Sequence, residues 1–230
     1  MDDCLIALVH SPLTGPSAWE PVAASLRERG FRVVVPAFGE VFASAGPYYQ
    51  AAADAIGGRI PPGIPVVLVA HSGAGALLPS IETAVPGTIG AVFVDALLPH
   101  PGRSWFDTVP PEFRDQLHAV AEHGRLPRWS DWFPPETIAE LLPDPGQRER
   151  FISELPRLPL SYFEEAAPDP PRWPAGWCGY LQLSEAYDVE AAEAARSGWS
   201  VDRLDGDHLS IATRPGDLAE CLARIVFDQE

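Results

Sequence analysis

The sequence contains neither lysine nor asparagine among its 230 residues, so all 16 basic residues are arginine. Without lysine, the chain has no Schiff-base nucleophile, no attachment point for pyridoxal phosphate and no P-loop lysine. Without asparagine, it has no N-glycosylation sequon and no Cys-His-Asn protease triad. These absences exclude several classes of cofactor-dependent and nucleotide-dependent enzyme, and we predict that the protein uses no cofactor.

Cysteine is also scarce. The three cysteines, Cys4, Cys178 and Cys221, form no C-x-x-C pair and are odd in number, which argues against a disulfide framework or a cysteine-based zinc site. The six histidines include no His-x-x-x-His pair of the kind that binds zinc on a helix. We therefore predict no metal site.

Positive charge is in deficit, because 32 acidic residues outnumber the basic ones and give a net charge of −16. A field of this sign repels nucleic acid and anionic membrane surfaces. Nucleic acid and membrane surfaces are therefore excluded as partners. The tryptophan-rich residues 97–174 indicate instead a small molecule, apolar or aromatic in character, and the sequence leaves the oligomeric state open.

Long hydrophobic runs are missing as well. No apolar run approaches the roughly 20 residues that a transmembrane helix needs. The chain begins Met1-Asp2-Asp3-Cys4, and the short apolar run that follows does not have the form of a signal peptide. We predict a cytoplasmic protein whose apolar share of 46% supplies a substantial core.

Short apolar segments alternate with helix-like segments in residues 1–96 and again in 175–230. The predicted strands are residues 5–9, 31–35, 66–70, 89–94, 180–183 and 199–204. Near-continuously apolar strands that alternate with helices indicate a parallel sheet covered on both faces. The predicted fold class is α/β, with about six mostly parallel strands and helices on both faces.

Helix signals accompany these strands. Ser17-Ala18-Trp19-Glu20 has the S-x-x-E pattern of a capping box and predicts a helix that Gly30 ends. Residues 48–56 are rich in alanine, and residues 215–227 predict a closing helix with proline in its first turn.

Residues 97–174 differ from the rest of the chain. They hold 15 of the 26 prolines and four of the seven tryptophans, which are Trp105, Trp129, Trp132 and Trp173. Short amphipathic pieces occur here without an obvious strand. We predict a helical insertion at residues 97–174, inserted in a core formed by residues 1–96 and 175–230.

Small residues flank Ser72 two positions before and after it, at Ala70 and Ala74. Behind a buried strand, this is the small-x-Ser-x-small form of a nucleophile elbow. Larger side chains would collide in so sharp a turn, and a helix that begins at Gly73 would direct free N–H groups at an oxyanion. The pattern predicts that Ser72 is a nucleophile.

His208 is the predicted base. It lies between the last predicted strand and the last helix, where a loop can reach a serine at the carboxyl ends of the central strands. We expect His71 to pack away from Ser72 and His10 to line the site. The histidines that we expect to be exposed in the insertion are His100, His118 and His123.

The base needs a carboxylate to orient it. Ser184-Glu185-Ala186-Tyr187-Asp188 follows the predicted strand 180–183. We favour Asp188, with Glu185 as a close alternative. Asp95, after the strand 89–94, is a third option that we interpret as structural.

Several of these motifs together resemble the α/β-hydrolase fold superfamily. They are Val9-His10 at the end of the first strand, Gly15 with Trp19, the elbow around Ser72, the insertion at the lid position, and Gly206-Asp207-His208. Within the superfamily, the chain is similar to the small methylesterase and hydroxynitrile-lyase-like group and to short bacterial hydrolases. The resemblance covers nearly the whole chain outside the insertion and implies a Ser-acid-His triad.

The chain departs from the family pattern after the first strand. Family members carry His-Gly-x there, and the backbone N–H of x is the second oxyanion donor. This chain has Ser11-Pro12-Leu13 after its histidine, and proline has no N–H. The backbone of Leu13 or the hydroxyl of Ser11 is the expected replacement, beside the N–H of Gly73.

The leading hypothesis is a serine hydrolase that acts on an ester, thioester or lactone of a hydrophobic small molecule. The alternative is a lyase, cyclase or epimerase of the same fold with His208 as general base, which Pro12 favours. Family lyases use a lysine directly after the histidine, and Leu209 here argues against cyanohydrin cleavage. A ligand-binding protein without catalysis is the third hypothesis.

Overall fold

A computed structural model describes residues 4–170 and 172–227. Six strands of this part form one parallel sheet in the order β2-β1-β3-β4-β5-β6. The strands are β1 (Leu5–Val9), β2 (Arg32–Val34), β3 (Val66–Ser72), β4 (Thr88–Ala96), β5 (Trp177–Gln182) and β6 (Ser200–Arg203). The predicted parallel sheet is confirmed.

Ten α-helices connect and flank these strands in the described residues. They are α1 (Glu20–Glu28), α2 (Tyr48–Gly57), α3 (Leu78–Ala84), α4 (Pro111–Val120), α5 (Pro135–Leu141), α6 (Pro145–Ser153), α7 (Leu160–Glu164), α8 (Asp188–Arg196), α9 (Ser210–Thr213) and α10 (Pro215–Phe227). Short 3₁₀ segments are Pro16–Ala18, Gly39–Ala43, Gly73–Leu77, Trp105–Asp107, Trp129–Trp132 and Glu185–Tyr187.

The two faces of the sheet carry separate hydrophobic cores. Leu5, Ala7 and Val9 of β1 pack in the core that includes α2, α3 and α8, whereas Ile6 and Leu8 pack in the core that includes α1 and α10. Successive side chains of a strand point to opposite faces, so a strand that is buried on both faces must be apolar throughout. The predicted helices on both faces are confirmed.

The strand order reverses direction between β1 and β3. The chain leaves β1 toward β2 and leaves β3 toward β4, in opposite directions along the sheet. This divergence opens a crevice at the carboxyl ends of β1 and β3. The segment after His10 and the turn at Ser72 both lie at this edge. The topology therefore positions the predicted nucleophile and the loop around Pro12 beside each other.

The capping box predicted at Ser17 does not form. Ser17 lies in the 3₁₀ turn, α1 begins at Glu20, and Trp19 occupies the N-cap position without a side-chain hydrogen bond. Glu154 accepts a hydrogen bond from the backbone N–H of Ser17 at 2.8 Å instead. The acceptor comes from a residue distant in sequence, which the local pattern could not reveal.

The region of the predicted insertion contributes α4 to α7 and, among its described residues, no strand of the sheet. The carboxylate of Glu165 joins it to the core by accepting hydrogen bonds from the backbone N–H groups of Tyr48 and Tyr49 at the start of α2, at 2.7 and 3.0 Å. The boundaries of core and insertion stay a prediction, and residues 1–3, 171 and 228–230 lie outside the described part of the chain.

We expect Glu165→Ala to lower the free energy of unfolding by about 1–2 kcal/mol, because it removes a charged acceptor from two N–H groups at a helix start. Urea unfolding followed by tryptophan fluorescence measures the change. The matched control is Glu164→Ala, an exposed neighbour whose loss is expected to change stability by less than about 0.5 kcal/mol. Equal losses in the two variants would contradict the capping role.

Candidate active site

Ser72 ends β3 in a strained turn. Its backbone has φ 57° and ψ −131°, outside the regions that side-chain-bearing residues ordinarily adopt. Ala70 and Ala74 are fully buried on either side of it, at the two positions where the elbow pattern requires small side chains. Gly73 begins the 3₁₀ segment that follows. The strained turn presents the hydroxyl of Ser72 at the edge of the sheet.

Asp95 is the carboxylate that pairs with His208. Its Oδ2 lies 2.8 Å from Nδ1 of the imidazole. Asp95 is fully buried near the end of β4 and has φ 44°, a second strained position at this edge of the sheet. Chain order remains serine, acid, histidine.

Three further donors hold the carboxylate of Asp95. The backbone N–H groups of Leu183 and Ser184 donate to Oδ1 at 2.9 and 3.0 Å, and the Ser184 hydroxyl donates to Oδ2 at 2.7 Å. Burial alone would raise the pKa of Asp95, but the hydrogen bond and charge of His208, with these donors, outweigh burial and lower it. Asp95 is therefore held as a carboxylate beside the imidazole.

Asp188 and Glu185, which we favoured as the acid, are not next to His208. Both are exposed. Asp188 instead accepts a hydrogen bond from Gln182 and lies 3.8 Å from the guanidinium of Arg203. The expected position of the carboxylate is corrected: Asp95 is the one that meets His208, because β4 extends past the predicted strand and brings this side chain to the loop that follows β5.

Tyr180, which the sequence did not single out, fixes the end of β4. Its buried hydroxyl donates to the carbonyl of Ala96 at 2.9 Å and accepts from the N–H of Ala96 at 3.0 Å. Ala96 directly follows Asp95, so these two hydrogen bonds hold the strained backbone that carries the carboxylate. The sequence signal that could have indicated this role is a tyrosine within an apolar predicted strand.

Aromatic rings surround the imidazole of His208. Tyr187 stacks on it with ring centroids 5.1 Å apart and an interplanar angle of 10°, and His71 lies at 4.4 Å and 30°. Within the described residues, Ser72 Oγ forms its hydrogen bond with the hydroxyl of Tyr187, at 3.3 Å, and none with His208. In enzymes without bound substrate, the nucleophile–base hydrogen bond is often long and tightens in the complex.

His71 is buried, as we expected. Its Nε2 donates to the backbone carbonyl of His208 at 2.9 Å, and its ring meets Trp19 edge-on at 5.9 Å. Burial, and then the charge of His208, hold the pKa of His71 well below its ordinary value. Because His71 is neutral, it would not repel the positive charge of a protonated His208 imidazole.

His10 does not line the site, which corrects our expectation. It is buried behind the loop, stacked on Phe38 at 4.4 Å, and its Nδ1 donates to the carbonyl of Ser11 at 2.9 Å. Burial lowers the pKa of His10 to about 4. His10 supports the shape of the loop from within the core.

One of the three histidines of the predicted insertion also differs from expectation. His100 is buried, and its Nδ1 donates to the carbonyl of Arg103 at 2.9 Å, whereas His118 and His123 are exposed.

The loop after β1 lies against Gly73. A Cβ placed on Gly73 would lie 3.3 Å from Ser11 Oγ and 3.4 Å from Cδ of Pro12, so both side chains approach the backbone that carries the expected oxyanion donor. The N–H of Leu13 donates to Ser11 Oγ at 3.3 Å and is engaged within the loop. Because its oxygen accepts that bond, the hydroxyl of Ser11 keeps its own hydrogen free to donate.

A cavity of about 530 Å³ opens beside these groups. Ser11, Pro12, Leu13, Ser72, Gly73 and His208 all lie on its wall. The rest of the wall is mainly aromatic, with Trp105, Phe113, Trp129, Trp132, Phe133, Tyr162, Phe163 and Tyr187. Most of these rings come from the region of the predicted insertion, so the cavity lies between that region and the sheet.

The chain belongs to the alpha/beta hydrolase family, whose sequence pattern matches residues 6–221. The resemblance that the motifs indicated is therefore correct at the level of the family. Among curated protein sequences, none matches this chain.

Solved structures with the same fold include small enzymes of bacteria and plants. An extracellular alpha/beta-hydrolase of a Paenibacillus species is 20% identical, over 96% of this chain and 98% of its own, with a TM-score of 0.76. A pyrethroid hydrolase of Sphingobium faniae is 20% identical, over 96% of both chains, with a TM-score of 0.70. Tomato methylketone synthase I, solved with 2-tridecanone, is 15% identical, over 99% of both chains, with a TM-score of 0.73.

In residues 4–170 and 172–227, no cluster of three or more His, Cys, Asp or Glu side chains is arranged to hold a metal ion. No helix of this part is both long enough and apolar enough to cross a membrane.

We expect stability to fall as the pH is lowered from 7.5 to 4.5. The unfolded chain protonates His10 near pH 6.5, whereas the folded chain keeps it neutral to about pH 4, so protons bind the unfolded state preferentially in this window. The loss from His10 alone is about 2.5 kcal/mol, and burial of His71 acts in the same direction.

Urea unfolding at pH 7.5 and 4.5 measures this dependence. His10→Gln is expected to remove its share of the slope, and His123→Gln, at an exposed position, is expected to retain the full slope. Identical pH slopes in wild type and His10→Gln would contradict the assignment to His10.

Proposed function

We propose that the protein is a serine hydrolase that cleaves an ester, thioester or lactone of a hydrophobic small molecule with Ser72, His208 and Asp95. The observation that carries the proposal is the 2.8 Å contact between the buried carboxylate of Asp95 and the imidazole of His208, on the wall of the cavity that Ser72 also lines. A nucleophile, a base and an oriented carboxylate are the three groups that this chemistry requires.

In this proposal, Ser72 Oγ attacks the acyl carbon while Nε2 of His208 takes the hydroxyl proton. The imidazolium forms against Asp95, which stabilises its charge and keeps Nδ1 protonated. His208 then returns the proton to the leaving group, and a water molecule, deprotonated by the same nitrogen, hydrolyses the acyl-enzyme. The strained turn holds the half-buried Ser72 at the cavity wall for both steps.

The oxyanion of the intermediate is assigned to the backbone N–H of Gly73 and the hydroxyl of Ser11. Pro12 offers no N–H, and the N–H of Leu13 is engaged by Ser11 Oγ. The proximity of Ser11 Oγ to Gly73 supports a hole formed by one backbone donor and one side-chain donor.

The substrate class follows from the cavity wall. Eight aromatic side chains favour an apolar or aromatic small molecule, and Glu190 is the one carboxylate among the lining residues. The names of related structures, a pyrethroid hydrolase and a methylketone synthase bound to 2-tridecanone, refer to ligands of similar character. We assign the aromatic part of residues 97–174 the role of a lid over the substrate.

The cytoplasmic location stays a prediction. Cys4, Cys178 and Cys221 are free thiols, as expected in a reducing compartment, whereas the related Paenibacillus hydrolase is extracellular.

A fluorophosphonate probe and p-nitrophenyl esters of short and medium chain length test the proposal. We expect the probe to label Ser72, Ser72→Ala to abolish labelling and turnover, and Asp95→Asn to lower kcat roughly 10³- to 10⁴-fold through the wrong imidazole tautomer. The matched control is Asp188→Asn, an exposed acid expected to retain kcat within about threefold.

The alternative is proton-transfer chemistry without an acyl-enzyme, which the missing N–H at Pro12 favours. In that case, His208 acts as general base in the same cavity. Retained turnover in Ser72→Ala, together with loss in His208→Ala, would replace the hydrolase proposal with this one.

We expect Ser11→Ala to lower kcat/KM roughly 10²-fold, because it removes one of two oxyanion donors. Ser17→Ala is the control in the same loop, since its buried hydroxyl has no hydrogen-bond partner in the described residues. Adding Pro12→Ala to Ser11→Ala restores a backbone N–H and is expected to recover part of the rate. Unchanged kinetics in Ser11→Ala would reject the side-chain donor.

A further inference from the structure

Tyr187 is the aromatic residue in closest polar contact with the candidate nucleophile. Its hydroxyl lies 3.3 Å from Ser72 Oγ, and its ring lies on the cavity wall. The residue ends the 3₁₀ segment Glu185–Tyr187, between β5 and α8. Neither the Ser-His-Asp set nor the Gly73 oxyanion site uses this hydroxyl.

The stack on His208 fixes the side from which Tyr187 reaches Ser72. The two rings are nearly parallel, at 10° and 5.1 Å, so the phenol hydroxyl approaches Ser72 Oγ from the side of the imidazole. Ser11 and Pro12 approach from the side of Gly73. In acyl transfer, the leaving-group oxygen receives its proton from the imidazole and therefore lies on the imidazole side.

We propose that Tyr187 is a further catalytic residue, whose hydroxyl donates a hydrogen bond to the leaving-group oxygen as the acyl bond breaks. The inference rests on the proposed hydrolase function. Before attack, the Tyr187 hydroxyl forms a hydrogen bond with Ser72 Oγ. Once Oγ has bonded to the acyl carbon in the tetrahedral intermediate, it is a weaker acceptor than a free hydroxyl, and the phenol O–H turns to the leaving-group oxygen, on which negative charge develops as its bond to that carbon breaks.

Proton balance is simple in this step. The bond between the acyl carbon and the leaving-group oxygen breaks, and Nε2–H of His208 transfers its proton to that oxygen. Tyr187 keeps its own proton throughout and contributes only a hydrogen bond. Burial raises the pKa of Tyr187, so the phenol is a neutral donor across the working pH range.

Tyr187→Phe separates this role from packing, because phenylalanine keeps the ring against His208 and loses only the hydroxyl. The test compares kcat/KM, which reports acylation, for two esters of one acid, p-nitrophenyl butyrate and ethyl butyrate. Nitrophenolate departs without help, whereas ethoxide needs a proton and hydrogen bonds. We expect a loss of about 10- to 100-fold for the ethyl ester and less than about threefold for the nitrophenyl ester.

The matched control is Tyr48→Phe. It also removes a tyrosine hydroxyl, but that hydroxyl forms a hydrogen bond with Ser161 Oγ at 2.8 Å. Tyr48 is not among the cavity-lining residues. We expect both esters to be cleaved at the wild-type rate. Where Tyr187→Phe does not accumulate as folded protein, 3-fluorotyrosine at position 187, a stronger donor, is expected to raise kcat/KM for ethyl butyrate alone.

The outcomes separate this inference from the hydrolase proposal. Equal losses for the two esters in Tyr187→Phe, or no loss for either, overturn the donor role while the hydrolase function stands. A wild-type protein that cleaves neither ester and is not labelled at Ser72 overturns the hydrolase function, and the donor role with it.

Discussion

The buried carboxylate of Asp95 is the constraint on which the site depends. A carboxylate without exposure to solvent is costly unless several donors satisfy it. Here the N–H groups and hydroxyl after β5 and the imidazole of His208 meet that demand together. The ends of two neighbouring strands and the loop before α9 are therefore fixed by one charge. The packing of these segments and the position of the imidazole depend on the same carboxylate, since a change that removes the donors would also free His208.

The position of His208 is determined by its surroundings as much as by Asp95. Tyr187 stacks on the imidazole, and His71 lies close to it and binds its backbone carbonyl. His71 is held neutral by burial, so a protonated His208 would lie beside an uncharged ring rather than a second cation. Tyr180 holds the strained backbone after Asp95 from within the sheet. Most of this framework is aromatic, which combines rigid packing with single, directed hydrogen-bonding groups.

On the side of Ser72 away from Tyr187, the loop after β1 packs closely against Gly73. Gly73 lies so close to Ser11 and Pro12 that a side chain there would press on both. The proline ring approaches Gly73 but supplies no N–H, and the hydroxyl of Ser11 lies close to the backbone of Gly73. Side-chain hydroxyl groups thus lie on both sides of Ser72, that of Ser11 on one and that of Tyr187 on the other. The departure from the family pattern at Pro12 changes which atoms are available, while the fold remains that of the family.

The sequence by itself determined the fold class, the strands of the parallel sheet, the strained turn at Ser72 and the loop of His208. Those features follow from local rules, because buried strands must be apolar and a sharp turn requires small neighbours. It did not indicate that Asp95, rather than Asp188 or Glu185, meets the imidazole of His208, since the choice among 32 acidic residues depends on which strand ends meet in space. Only the tertiary structure placed Asp95 beside His208, buried His10 and brought the hydroxyl of Tyr187 close to Ser72. Each depends on contacts between segments far apart in the chain, where burial and the matching of donors to acceptors, rather than local pattern, select the residue.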